Sequence, residues 1–403
     1  MDITIIVILG LLLIAVRVAK LGDIFSPWTI TIGVWLILFI LFLVNGDILY
    51  PLGEKFYGAI ALWIPIFCVS SVLTYLSFPP SKGRLSHTTE DVTFNRIIFK
   101  VLFWISMVIT PIYVYRLMQI VSQFDAENVL FNIRMLHVFG EHNLGFLQYS
   151  YIINQALFVV AICQYRHVRW WQMVLIIIAN LLGQFAIMEK SGIFFLLIAT
   201  LFVLYEKRVV KIRTIGYSLL LVVGVFYGIN KSMELSSNGD GMPFLEFFGI
   251  YVMSAPVAFE YIQPDLSHHF GSNTFSYFYL FLNRFGITNV DVVERLQEFV
   301  FVPLPTNTFT ILEPFYKDWQ NTGVAYFAFI YGVLSGFAYR QFRNGSLTAL
   351  CIYAYFVRFL ILQFYHEDFM HNIVHFIQFC FFVFIMTQHK FFVSLQREKP
   401  NTP

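Results

Sequence analysis

The chain has 403 residues, of which 58% are hydrophobic, 19% aromatic and only 12% charged, with a mean hydropathy of +0.70. That balance excludes a water-soluble enzyme built around one large core and describes a polytopic membrane protein. A net charge of +2 gives no reason to expect a nucleic-acid partner, and the four cysteines, Cys68, Cys163, Cys351 and Cys380, all lie within apolar segments, where packing is their expected role rather than a disulfide framework or a metal knuckle.

In chain order, apolar stretches of roughly membrane length fall at about 3–16, 27–45, 57–79, 98–117, 147–165, 171–188, 191–206, 214–230, 322–339, 347–364 and 372–389. They predict eleven transmembrane helices in a single integral membrane domain, 1–403. The first is short, but Met1-Asp2 supplies neither a basic leader nor a small-residue cleavage site, so it is expected to be retained. The interval 231–321 is too polar to span a bilayer and too aromatic and apolar for a disordered linker, which makes it a large folded loop. Within it, 244–262, broken by Pro256, is expected to be re-entrant or surface-lying. Val290 to Val302 sets Val292, Val293, Leu296, Phe299 and Val300 against Asp291, Glu294, Arg295 and Glu298 at helical spacing, which predicts an amphipathic helix at the membrane surface.

Across eleven crossings the 26 lysines and arginines divide seventeen to nine, with every short basic loop on the richer side. The richer side is expected to be cytoplasmic, with the N-terminus and the long loop outside and the C-terminus inside. The outside minority is informative because the sorting rule disfavours it. Lys190 sits in a tight hairpin, Arg116 at the outer end of its helix, and Arg134 and Arg284 in outer segments. Arg358 lies about six residues below the outer end of its span, some 9 Å into the apolar zone at about 1.5 Å per residue. A cation at that depth faces a wet or anionic cavity, snorkels, or pairs with Glu367 or Asp368.

Tyr365 to Asn372 forms a short outer hairpin with two carboxylates, Glu367 and Asp368, and two histidines, His366 and His371. A spacing of five between the histidines, with adjacent acids, is not a zinc pattern. A carboxylate or imidazole there could act as general base toward a sugar hydroxyl, although a solvated turn residue is the commoner role for any one of them. Arg134, His137, Glu141 and His142 would share a face if their segment were helical.

The run Pro305-Thr306-Asn307, followed by Glu313-Pro314-Phe315-Tyr316-Lys317-Asp318 and a span opened by Gly323, resembles the late periplasmic loop of Wzy-type O-antigen polymerases, the oligosaccharide repeat-unit polymerases. Ser26-Pro27 at the second span and the Lys190-Ser191-Gly192 hairpin are also similar to that family. Family members often carry arginine in the hairpin, and lysine here keeps the charge without the bidentate fork. The resemblance implies an all-α polytopic fold of about eleven transmembrane helices with a large helical periplasmic loop, a GT-C-like glycosyltransferase architecture in the bacterial inner membrane. Its substrate would be an undecaprenyl-diphosphate-linked oligosaccharide, and a chain-length regulator would be a partner.

On that reading Asp318, Glu367, Asp368 and His366 are candidate catalytic groups, and Asn307 and Tyr316 line the substrate cavity. Lys190, Arg358, Arg134, Arg116 and Arg284 would hold the lipid diphosphate as it leaves with developing negative charge. No Asp-x-Asp pair occurs in an outer loop, so neither a metal nor another cofactor is expected. A ligase moving glycan to a lipid A core would need similar cations. A flippase would be expected to carry charges within many spans, and a scaffold would tolerate loss of any one arginine.

Overall fold

The computed structural model describes residues 2–46, 48–79, 94–123, 132–133, 147, 149–187, 190–218, 224, 244–265, 269–293 and 297–388. These residues are almost entirely helical, and they form two compact units: Met1–Pro79, Arg208–Arg340 and Phe359–Ile373 in the first, Pro80–Lys207, Gln341–Arg358 and Val374–Pro403 in the second. The helices are α1 (Asp2–Val18), α2 (Pro27–Val44), α3 (Glu54–Ser77), α4 (Arg96–Val121), α5 (Ser150–Cys163), α6 (Trp170–Ile187), α7 (Lys190–Glu206), α8 (Phe244–Ala258), α9 (Ser276–Arg284), α10 (Glu313–Arg343), α11 (Leu347–Leu362) and α12 (Ile373–Thr387). A two-residue antiparallel ribbon pairs β1 (Val300–Phe301) with β2 (Pro305–Thr306).

By length and composition, α2, α3, α4 and α10 are each able to cross a membrane, and α5, α6, α7, α11 and α12 are shorter apolar helices. Their sequences are apolar on all sides. On α4, Phe99, Phe103 and Tyr113 are buried while Ile97, Val101, Trp104 and Val108 are exposed, a distribution that suits lipid as the outer solvent. Ten of the eleven expected spans coincide with helices. Of the eighth, 214–230, residues 214–218 are helical and all but residue 224 of the remainder lie outside the described residues. The free cysteines are buried or half-buried, as expected of packing residues.

In the first unit, α10 packs on α3 through two glycines. A Cβ added at Gly332 would stand 2.0 Å from Ser70 Oγ, and one at Gly336 would stand 2.3 Å from the Ser71 carbonyl oxygen. Small residues four apart let the two backbones approach to a distance that side chains would forbid. The same unit is tied by Gln363, which is 1% exposed. Its Oε1 accepts from the indole nitrogens of Trp35 and Trp63, each at 3.1 Å, and its Nε2 donates to Thr31 Oγ1 at 3.3 Å and to the Leu360 carbonyl at 2.7 Å.

Helix α10 is bent sharply at Gln320, where φ is 53° and ψ −142°. The Phe315 and Phe327 rings stack 4.2 Å apart, whereas twelve residues of straight helix would separate them by about 18 Å. The chain therefore doubles back, and Gly323 sits against the Phe315 carbonyl, 2.3 Å from where a Cβ would lie. The short limb Glu313–Trp319 is thus folded over the top of the long apolar limb.

The expectation of an amphipathic helix over Val290–Val302 is not met. The described residues of this stretch form no helix and include β1, and Glu294, Arg295 and Leu296 lie outside them. The Asn283 side chain takes both backbone groups of Val290, with its Nδ2 2.6 Å from the carbonyl oxygen and its Oδ1 3.1 Å from the amide nitrogen. Those groups would otherwise serve a helix start. Val292, Val293 and Val300 are β-branched, and Pro303 follows, so local preference also runs against helix. Helix α8 is not broken at Pro256 as expected but continues through it into a single 3-10 turn at Phe259–Tyr261.

In the second unit, α4, α5 and α6 share a buried polar seam. Asn154 Oδ1 accepts from the Ser106 hydroxyl, and Asn154 Nδ2 donates to Thr110 Oγ1 at 2.9 Å. Asn180 Nδ2 donates to the Asn154 and Ile176 carbonyls, each at 2.9 Å. Hydrogen bonds of this kind hold apolar helices in register where the hydrophobic effect does not.

Candidate functional site

The first unit brings Asp318 and the hairpin after α11 together, although they are some fifty residues apart in sequence. Asp318 Oδ1 accepts from the backbone and side-chain nitrogens of Asn273 at 3.1 and 2.9 Å, and its Oδ2 accepts from the Thr274 backbone nitrogen at 2.8 Å. The Asn273 carbonyl lies 3.2 Å from His371 Nε2, and His371 Nδ1 lies 3.1 Å from the Glu367 carbonyl. A continuous polar path therefore runs from the folded limb of α10 through the turn before α9 to the hairpin.

Glu367 is 2% exposed. Its Oε1 accepts from the Tyr331 hydroxyl and from the backbone nitrogens of Phe369 and Met370, both at 2.9 Å, and its Oε2 accepts from the His371 backbone nitrogen at 3.0 Å. Four donors occupy most of what a carboxylate can accept, so this group sets the shape of the hairpin. Asp368 is equally buried. Its Oδ1 accepts from Asn372 Nδ2 at 2.5 Å and lies 3.6 Å from His366 Nε2, an ion-pair distance too long for a hydrogen bond. The His366 side chain is 30% exposed and its Nδ1 is buried with no hydrogen-bond partner among the described residues. His366 and His371 are both partly exposed with a nitrogen 3.6 Å from a buried carboxylate; His371 is also within hydrogen-bond distance of two main-chain carbonyls, which leaves His366 as the hairpin's candidate general base.

Beside this path lies a cavity of about 260 Å³. Asn273, Ser276, Gln297, Glu313 and His371 form its polar wall, and Tyr277, Leu280, Val292 and Val293 its apolar wall. Glu313 is 6% exposed and pairs with Lys317 at 2.8 Å, and Lys317 also donates to the Gln297 side chain. The polar wall was hidden in the sequence because its residues come from four separate segments. Glu313 stood inside the motif that carried the resemblance, but nothing in the motif set it apart from its neighbours.

Tyr316 lies on another side of the short limb, packed edge-on to Phe259 at 5.2 Å and under the Lys55 ammonium at 5.9 Å. Lys55 in turn donates to the Glu260 and Ile262 carbonyls at 2.7 and 2.9 Å. Asn307 is half-buried in the segment between β2 and α10, and Arg284 is exposed at the last residue of α9.

The remaining candidate cations belong to the second unit. Arg358 is 1% exposed, with its guanidinium 4.9 Å from the Tyr355 ring centre and 5.8 Å from that of Phe195. Cation–π contact with two rings lowers the cost of burial, and burial to 1% exposure distinguishes this residue from a snorkelling arginine. Arg116 is exposed on α4, 3.3 Å from Gln119 Oε1. Lys190 is the first residue of α7, where a helix start favours anions, and its side chain lies outside the described residues. So does Arg134, together with His137, Glu141 and His142. Among the described residues no group of three or more histidine, cysteine or acidic side chains is placed to hold a metal.

No family model matches the chain, and no solved structure matches it. The chain is similar to a protein of Escherichia coli (strain K12) described as "Putative O-antigen polymerase", with 28% identity over 221 residues, 53% of this chain and 53% of that protein. The match spans about half the length of that curated relative. The likeness to O-antigen polymerases read from the short motifs is thereby found independently in an alignment.

Proposed function

We propose, from that likeness, that the chain is an inner-membrane polymerase that joins lipid-diphosphate-linked oligosaccharide repeat units into O-antigen or a related surface polysaccharide. The single observation that carries this reading is the similarity to the E. coli protein. The apolar helices and the polar constellation of Asp318, Asn273, His371 and the Glu367 hairpin in the first unit support it. In the reaction, the hydroxyl oxygen of an acceptor sugar bonds to the anomeric carbon of the growing glycan. The bond from that carbon to the lipid diphosphate breaks, and its electron pair stays on the diphosphate.

His366 would take the hydroxyl proton at Nε2, and Asp368 Oδ1, 3.6 Å from that nitrogen, would stabilise the imidazolium formed. Glu367 and Asp318 would be positioning residues, since their oxygens hold the hairpin and the turn at Asn273. Lys190, Arg358, Arg134, Arg116 and Arg284 would stabilise the leaving diphosphate without a metal. Undecaprenyl diphosphate as the lipid, the periplasmic face as the site of reaction and a chain-length regulator as partner follow from the resemblance and belong to the same proposal.

Deletion in the native host tests it. A polymerase mutant should retain lipopolysaccharide carrying a single repeat unit on its core. A ligase mutant should instead leave the core bare while lipid-linked polymer accumulates, and that pattern would transfer the function to the ligase.

A further inference from the structure

The cavity beside the Asp318–His371 path differs chemically from what a diphosphate requires. Among the described residues its acidic wall residue is Glu313, and Lys317 beside it is already paired with it at 2.8 Å and bonded to Gln297. An anion placed there would meet Glu313 with no unengaged positive charge among the described wall residues to offset the repulsion.

The remaining wall suits a neutral, polyhydroxylated ring. Glu313 accepts hydrogen bonds, while the Asn273 and Gln297 amides and the Ser276 hydroxyl can both donate and accept. Tyr277 and His371, with ring centres 6.2 Å apart at 46°, and Val293 offer flat apolar surface for the C–H face of a sugar. A mostly apolar pocket with a few convergent polar groups is the usual form of a small-molecule site. At about 260 Å³ it falls just below the roughly 300–1,000 Å³ of sites for drug-sized ligands, so it has room for one sugar ring and not for a chain.

We infer that this cavity is a sugar subsite that receives one residue of the acceptor repeat unit, with the Glu313 carboxylate bonded to its hydroxyls. The inference rests on the polymerase reading for its glycan. The Glu313–Lys317 pair fixes the carboxylate, and His371, whose ring nitrogens lie 3.1 and 3.2 Å from the Glu367 and Asn273 carbonyls, donates to one of them as a neutral imidazole and so stands fixed in the wall. The hairpin that carries His371 also carries His366. A sugar seated here is therefore held by the same short segment as the proposed base.

The test uses the full-length protein in detergent and, as probe, the lipid-free repeat-unit oligosaccharide released from the native host's lipid-linked pool by mild acid. Saturation-transfer NMR and titration would measure its binding to the wild type, to Val293→Trp, which fills the cavity from a half-buried, non-helical segment, and to Glu313→Gln. The expected result is binding by the wild type, at least tenfold weaker binding by both variants, and saturation concentrated on one sugar of the repeat. Inorganic diphosphate should not compete. Equal affinity of wild type and Val293→Trp, or no binding by the wild type, would overturn the inference. The polymerase reading is judged separately by product formation from lipid-linked repeats, so a polymerising enzyme whose Val293→Trp variant binds normally would defeat the subsite alone.

Discussion

At the scale of single residues, the hairpin after α11 separates groups that the sequence could not tell apart. His366, Glu367 and Asp368 are consecutive, yet Glu367 is buried and accepts four hydrogen bonds while the His366 side chain is 30% exposed and accepts or donates none at Nδ1 among the described residues. His366→Ala should therefore lower polymer yield by roughly 10²–10⁴-fold, the usual contribution of a general base, while leaving detergent melting unchanged. Glu367→Gln replaces an acceptor pair by an amide and strands main-chain donors, at about 1–3 kcal/mol for each one left unsatisfied. It should lower the melting temperature and the activity together. Melting curves beside activity at matched protein levels check both, and an equal loss of stability in His366→Ala would remove the distinction. Arg358, buried under Tyr355, should tolerate neither alanine nor lysine, since a compact ammonium reproduces neither the fork nor the stacking. Rates in both variants should fall by roughly 10²–10³-fold if it meets the developing charge, and wild-type rates would exclude that role.

At the scale of elements, the two glycines of α10 and the Gln363 amide make the first unit's packing specific. Gly336→Val would drive a side chain into the Ser71 carbonyl. Gln363→Leu would leave two buried indole N–H groups without their acceptor, at about 0.6–2 kcal/mol for each interhelical bond lost in an apolar setting. Both variants should unfold at lower temperature in detergent, and unchanged melting would contradict the packing described. The helices themselves were legible because apolar runs of membrane length need no tertiary information. The non-helical residues 290–293 and 297–302 were not, because their amphipathic spacing is outweighed by the Asn283 side chain and by Pro303, which no periodicity records. Nor was the doubling-back of α10 at Gln320 legible. The sequence there offers Gly323 as a close-packing position but nothing that fixes a positive φ three residues earlier. The cavity wall was illegible for the same reason, since Asn273, Gln297, Glu313 and His371 meet only once these bends are in place.

At the scale of the whole molecule, the charge sorting makes a prediction independent of any site residue. Reporter fusions at Arg208 and Arg343 should report cytoplasm and fusions within 265–275 should report periplasm. A cytoplasmic signal from 265–275 would move the cavity and the hairpin to the wrong face for a lipid-linked glycan carried outside. The central claim, that the protein polymerises lipid-linked repeat units, is tested most directly by reconstituting the purified protein in liposomes with purified undecaprenyl-diphosphate-linked repeat units and no core acceptor, and resolving the products by size. The account predicts a ladder of glycans several repeats long still attached to lipid, with release of lipid diphosphate. Starting material that remains a single repeat unit in the presence of properly folded wild-type protein would contradict it.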